Sequence, residues 1–125
     1  MAIEYKFDIT PATDVIIDLY RSSGINRPTT DKERITKMYA NSNFIVTAWD
    51  KDKLVGIARS LTDFCHCCYL SDLAVRKEYQ KKGIGKKLIR LTKDKIDDVT
   101  MLLLLSAPMN LSSNGLHKTI RFSCN

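Results

Sequence analysis

The sequence predicts a single α/β layered domain on a mixed sheet, in the order β-α-α-β-β-β-α-β. Three observations predict it. Residues 44–61 read as two apolar strands around the polar turn Asp50-Lys-Asp-Lys53, which makes an antiparallel hairpin. Residues 67–106 read as strand, helix, strand, a crossover that sets its two strands parallel. Residues 3–43 read as one alternating strand followed by two short amphipathic helices.

Ile3, Tyr5, Phe7 and Ile9 alternate with Glu4, Lys6 and Asp8, the period of a half-buried strand. Thr10-Pro11 reads as an N-cap with proline at the first helical position. Ala12, Val15, Ile16 and Leu19 share one face of the helix it opens, and Gly24 terminates it. A loop around Pro28 follows. Thr30-Asp-Lys-Glu33 has capping-box spacing and starts a second helix that turns Ile35, Met38 and Tyr39 inward.

After the hairpin, residues 67–75 form a buried strand and 76–82 a charged loop. A helix over 83–97 carries Ile84, Leu88 and Leu91 on one face, and residues 100–106 form a near-continuous apolar central strand.

The chain has 125 residues, enough for one core. Its hydrophobic content of 44% and charged content of 27% exclude a collagen-like or disordered chain. No apolar run approaches a bilayer span, and the N-terminus lacks the pattern of a secretory signal. With that N-terminus, Cys65, Cys67, Cys68 and Cys124 read as reduced thiols of a cytoplasmic protein. Cys65-His66-Cys67-Cys68 points its members to alternate sides of an extended segment, so four ligands do not converge and no metal is expected. Trp49 reads as core, and His117 as an exposed residue of the tail.

The net charge of +6 calls for an anionic partner, and it is localised. Residues 76–95 carry nine Lys and Arg against two acids, whereas the other residues carry eleven against twelve. Within that stretch a buried strand ends at Val75, a basic loop follows, and a helix starts at Gly83 and Gly85. A helix start offers free backbone N–H groups and the positive end of the helix dipole, and glycines let a phosphate approach. Other phosphate loops fit poorly. The third small residue of a dinucleotide fingerprint is replaced by Leu88, and Gly85-Lys86 is followed by Lys87 rather than Ser or Thr.

The loop Gln80-Lys-Lys-Gly83-Ile-Gly85 resembles the acetyl-CoA signature of the GNAT superfamily of N-acetyltransferases, Gln/Arg-x-x-Gly-x-Gly/Ala. Its setting, after the strand end Asp72-Leu-Ala-Val75 and before a helix, resembles that family too, as does the order of elements over residues 3–108. The resemblance implies a GNAT-like mixed, mainly antiparallel sheet flanked by helices. It implies that the backbone of Leu73, Ala74 and Val75 pairs with the pantetheine arm of acetyl-CoA. It implies that Gln80, Lys81, Lys82, Gly83, Ile84, Gly85 and Lys86 hold the pyrophosphate. The thioester then lies where this strand parts from the strand over 100–106, and the acetyl group passes to a primary amine.

For the base, two residues of the cofactor strand are candidates, Asp72 and Tyr69; strand alternation puts them on opposite faces. A phenol is an inefficient base at its ordinary pKa, and a lone strand carboxylate is more often structural. Deprotonation through water is the third route. The loop over 22–30, with Arg27, is a candidate rim of the acceptor site.

The tail departs from the family pattern. Relatives carry a helix with a tyrosine acid after the last strand, then two more strands. This chain has no tyrosine beyond Tyr79, and residues 109–125 show neither the helix nor the strands. That departure leaves two alternatives to an active transferase: a catalytically silent acetyl-CoA-binding domain, and a small basic nucleic-acid-binding module. The second is disfavoured, because the basic residues are not interleaved with aromatics. The missing strands would leave a sheet edge open to homodimer formation. The expected partners are therefore acetyl-CoA and an amine, with neither nucleic acid nor membrane.

Overall fold

The computed structural model describes residues 2–96, 101–106 and 118–123. Six strands form one sheet in sequence order: β1 (Glu4–Phe7), β2 (Phe44–Asp50), β3 (Lys53–Thr62), β4 (Cys67–Val75), β5 (Met101–Ser106) and β6 (Lys118–Ser123). All neighbours are antiparallel except β4 and β5, which are parallel. Helices α1 (Thr13–Ser23) and α2 (Lys32–Ala40) cover one face, and α3 (Ile84–Lys95) covers the other. The mixed α/β class stands as predicted. Among the described residues no helix is long and apolar enough to cross a membrane.

The two faces have separate cores. Ile16, Leu19, Tyr20 and Ile35 pack on Ile45, Leu54, Ile57 and Ala74. Ile84, Leu88 and Ile96 pack on Val46, Val55, Ala58, Cys68 and Leu70. Gly56 lets α3 approach closely: a Cβ there would meet Leu88 Cδ1 at 3.1 Å and Ile84 Cγ2 at 3.2 Å.

Local signals correct several boundaries. Asp8 takes φ 57°, which ends β1 early and leaves Ile9 exposed. The first helix is capped by Ala12, not Thr10, and Pro11 precedes the cap. Its buried face is Ile16, Ile17, Leu19 and Tyr20, so Val15 points out and Tyr20 points in. Gly24 ends it in the left-handed conformation, as predicted. Asp31, not Thr30, caps α2, accepting a 3.0 Å bond from the Arg34 N–H. A carboxylate at this position satisfies an orphan donor and suits the helix dipole.

The tail also differs from expectation. β6 pairs with β5 from Met101↔Ser123 to Ser106↔Lys118. Two signals for it are in the sequence, the turn dipeptide Asn114-Gly115 ahead of it and the alternation of Ile120 and Phe122 with Thr119 and Arg121, but the segment is short and half polar, which obscures them. β5 is therefore covered, and β6 is the last strand on that side of the sheet. The place of the expected final helix, His117 and Cys124 lie outside the described residues.

Candidate functional site

The site begins with a fault in strand pairing. Across β3 and β4, Arg59 faces Asp72 but the next residue, Ser60, faces Leu70. Ser71 is the extra residue of a β-bulge, and bulges re-aim side chains. Leu70 therefore points to the α3 core, whereas Asp72 points to α1 and α2. Tyr69, one residue before Leu70, shares the α1–α2 face. The expectation that Tyr69 and Asp72 lie on opposite faces is thus corrected, because simple alternation does not survive the bulge.

The bulge coincides with a second change. β4 and β5 pair from Cys67↔Met101 to Leu70↔Leu104, and the ladder stops there. Beyond it, residues 72–75 pair with β3 on one side and, among the described residues, have no β5 partner on the other. An unpaired strand edge is a ready acceptor for another extended chain. Leu73 and Val75 are half-buried on it, and Ala74 is buried against α1 and α2.

The loop after β4 is tied down at many points. Arg76 Nε donates to Leu54 O at 2.7 Å and its Nη2 donates to Asp18 Oδ2 at 2.7 Å. The Lys77 N–H donates to Ser22 Oγ, and the Tyr79 hydroxyl to Asp50 Oδ2 at 2.6 Å. A single 3-10 turn, Lys77–Tyr79, results. Gln80 Nε2 donates to Val75 O at 2.9 Å and to Ser23 O at 3.3 Å, so the glutamine binds the loop back onto the end of β4. Lys81 (φ 64°) and Gly83 (φ 85°) are both left-handed. A left-handed lysine costs roughly 1–2 kcal/mol, the kind of local strain found at ligand sites.

Gly83 is the N-cap of α3 and supplies no side-chain cap. The N–H groups of Ile84, Gly85 and Lys86 sit in the first turn, where a helix has no partners for them. That turn holds no acid; Lys86 and Lys87 lie at the positive end of the dipole instead. The signs are unfavourable for the helix alone and favourable once an anion binds. Space agrees with charge: nothing lies within 4 Å of where a Gly83 Cβ would be. Gly85 faces Val75 and Leu73 at ordinary contact distance, so the helix start abuts the unpaired edge. Lys81 and Lys82 are exposed beside it, while Ile84 is buried in the α3 core. The residues present thus fit a pyrophosphate followed by an extended arm.

On the other face Asp72 is fully buried. Arg59 Nε donates to its Oδ2 at 2.8 Å, Arg27 Nε to its Oδ1 at 2.8 Å, and the Tyr20 hydroxyl to Oδ2 at 2.6 Å. The Tyr39 hydroxyl bonds that of Tyr20, and the Arg59 guanidinium lies over the Tyr39 ring. Burial alone pushes the Asp72 carboxyl up, but bonds from Arg59 and Tyr20, the Arg59 charge and the Arg27 bond outweigh it and hold it below the usual range. Burial, with Tyr39 and Asp72 beside it, pushes the Tyr20 phenol well up. Asp72 is thus an ionised anchor. The Tyr69 hydroxyl has no hydrogen bond among the described residues.

Sequence reasoning named Asp72 and Arg27 but missed Arg59, Tyr20, Tyr39 and Ser71 as its partners. One signal was present: Arg59 and Asp72 are opposite charges inside two adjacent apolar strands, and buried charges are paired. At the far turn, the Asp63 carboxylate accepts the N–H groups of Cys65, His66 and Cys67. That turn gives the cysteine-rich segment a structural account.

The family model for GNAT acetyltransferases matches residues 13–121. The chain belongs to the GNAT acetyltransferase family. Solved members share its fold. A probable acetyltransferase from Staphylococcus aureus is 24% identical, with a TM-score of 0.73 over 92% of this chain and 97% of that one. The PaiA N-acetyltransferase of Thermoplasma acidophilum, solved with coenzyme A, is 17% identical, with a TM-score of 0.73 over 98% and 99%. An aminoglycoside 6′-N-acetyltransferase, also solved with coenzyme A, is 20% identical, with a TM-score of 0.65 over 88% and 64%. No curated protein sequence matches the chain. As a GNAT domain, this protein has the fold of an acyltransferase, and its unpaired β4 edge and α3 N-terminus lie side by side.

Proposed function

We propose that this GNAT domain transfers the acetyl group of acetyl-CoA to a primary amine. The observation that carries the reading is the parting of β4 from β5 at Ser71, beside an open, uncapped and acid-free start of α3. The backbone of Leu73, Ala74 and Val75 pairs with the pantetheine arm. The N–H groups of residues 81–86, with the loop fixed by Gln80, hold the pyrophosphate among Lys81, Lys82 and Lys86.

In the reaction the neutral amine attacks the thioester carbonyl, the C–N bond forms, and the C–S bond breaks to release the CoA thiolate. A backbone N–H of β4 stabilises the oxyanion. Of the two polar candidates, Asp72 is already engaged by two guanidiniums, which supports a positioning role for it. Tyr69 shares the acceptor-facing side and has a free hydroxyl among the described residues, which supports contact with the acceptor. The amine loses its proton through water. The exposed thiols Cys65 and Cys67 support a reducing, cytoplasmic setting.

Calorimetric titration with acetyl-CoA tests the cofactor reading. Micromolar binding that Gly83→Glu abolishes is expected, and a folded protein that ignores millimolar acetyl-CoA refutes it. Thiol release over a panel of amines then separates a transferase from a silent binding domain.

A further inference from the structure

The Asp72 cluster has one negative charge and two positive ones. Among the described residues, three neighbouring acids have their own cations: Asp14 pairs with Lys32, Asp18 with Arg76 and Asp31 with Arg34, while Glu33 of α2 is an exposed acid without an ion pair. The α1–α2 loop adds a third guanidinium, since Arg21 Nη2 donates to Thr29 O. A positive surplus therefore stands on this face.

The surplus has an outlet. The Arg59 side chain is 9% exposed but that of Arg27 is 27% exposed. Arg27 meets Asp72 Oδ1 through Nε and, at 2.6 Å, through Nη2, and it bonds Asn26 O through Nη1 and Ser71 O through Nη2, leaving one of its five N–H groups, on Nη1. Ser71 is the bulged residue where β4 leaves β5, so Arg27 stands at the mouth of the gap on the side that Tyr69 faces.

A cationic surplus there repels a polyamine and favours the neutral form of an approaching amine. It attracts an acceptor with an anion of its own, which a guanidinium binds with directed bonds. We propose that the acceptor is an amine carrying an anionic group, a carboxylate or a phosphate, and that Arg27 binds that group. This substrate class rests on the acetyltransferase reading above.

The test is steady-state thiol release with matched acceptors: amino acids against their amides, phosphoethanolamine against ethanolamine, and spermidine as a polycation. At least one anionic amine is expected to exceed its neutral partner in kcat/KM by about tenfold, mostly through KM, as for one charged hydrogen bond. The pair showing the preference separates carboxylate from phosphate. Arg27→Gln brings the ratio close to one, while Arg27→Lys, which keeps the charge, retains part of it. Thermal melts of both variants report whether the loop still folds. Preference for neutral amines or spermidine overturns the inference, as does a ratio that Arg27→Gln leaves unchanged. Acetyl-CoA binding without turnover of any anionic amine overturns it too, while the cofactor reading stands. Failure of the cofactor reading shows separately, as absence of acetyl-CoA binding.

Discussion

Arg27 donates to Asp72 Oδ1 from Nε at 2.8 Å, with Nη2 at 2.6 Å, although 45 positions separate them in the chain. The contact pins the α1–α2 loop to β4 at the bulge. Asp72→Asn leaves the guanidiniums of Arg27 and Arg59 together without a counter-charge. Breaking a buried pair in this way costs about 3–5 kcal/mol, and the partial exposure of Arg27 puts this case at the low end. A urea titration measures it. A loss under about 1 kcal/mol would show the cluster to be incidental.

The same carboxylate gives the fold an acid dependence. Its folded pKa lies below its ordinary value of 3.8, so its contribution is complete above that value and is lost as pH falls through the folded one. Unfolding curves across this range, for wild type and Asp72→Asn, should converge at the acid end. Curves that stay parallel would mean that Asp72 is not held ionised.

The fold was largely legible, because strands and helices announce themselves by period, and β4 was bounded correctly at Cys67 and Val75. The cofactor loop was legible for a different reason: its glycines and lysines are local in sequence. The Asp72 cluster was not, since it joins α1, α2, β3 and β4 through contacts that no spacing rule encodes. The bulge at Ser71 was hidden as well. Register faults depend on how two strands pair, and a strand read alone shows only alternation.

Gly83 and Gly56 should respond to alanine for opposite reasons. At Gly83 a Cβ meets nothing but the backbone is left-handed, so Gly83→Ala costs about 1 kcal/mol and Gly83→Asn less. At Gly56 a Cβ presses on Leu88 and Ile84, so Gly56→Ala costs about 1–3 kcal/mol by overpacking. Midpoints of chemical unfolding for the three variants give the order. A Gly83→Asn variant weaker than Gly83→Ala would contradict the conformational account.

The Gln80 side chain ties the loop to the ends of α1 and β4. Gln80→Ala removes both bonds and should cost about 1 kcal/mol of stability. It should also weaken acetyl-CoA binding, because the loop is no longer held against β4. Calorimetry that finds full affinity in this variant would assign the loop geometry to Arg76 and Tyr79 instead.

The central claim is that the β4 edge freed at Ser71 receives the pantetheine arm while the start of α3 receives the pyrophosphate. Residue-resolved hydrogen exchange with and without saturating acetyl-CoA tests it most directly. The account predicts slower exchange at amides within residues 71–75 and 83–86. Saturable binding that protects amides elsewhere and leaves both segments unchanged would contradict it.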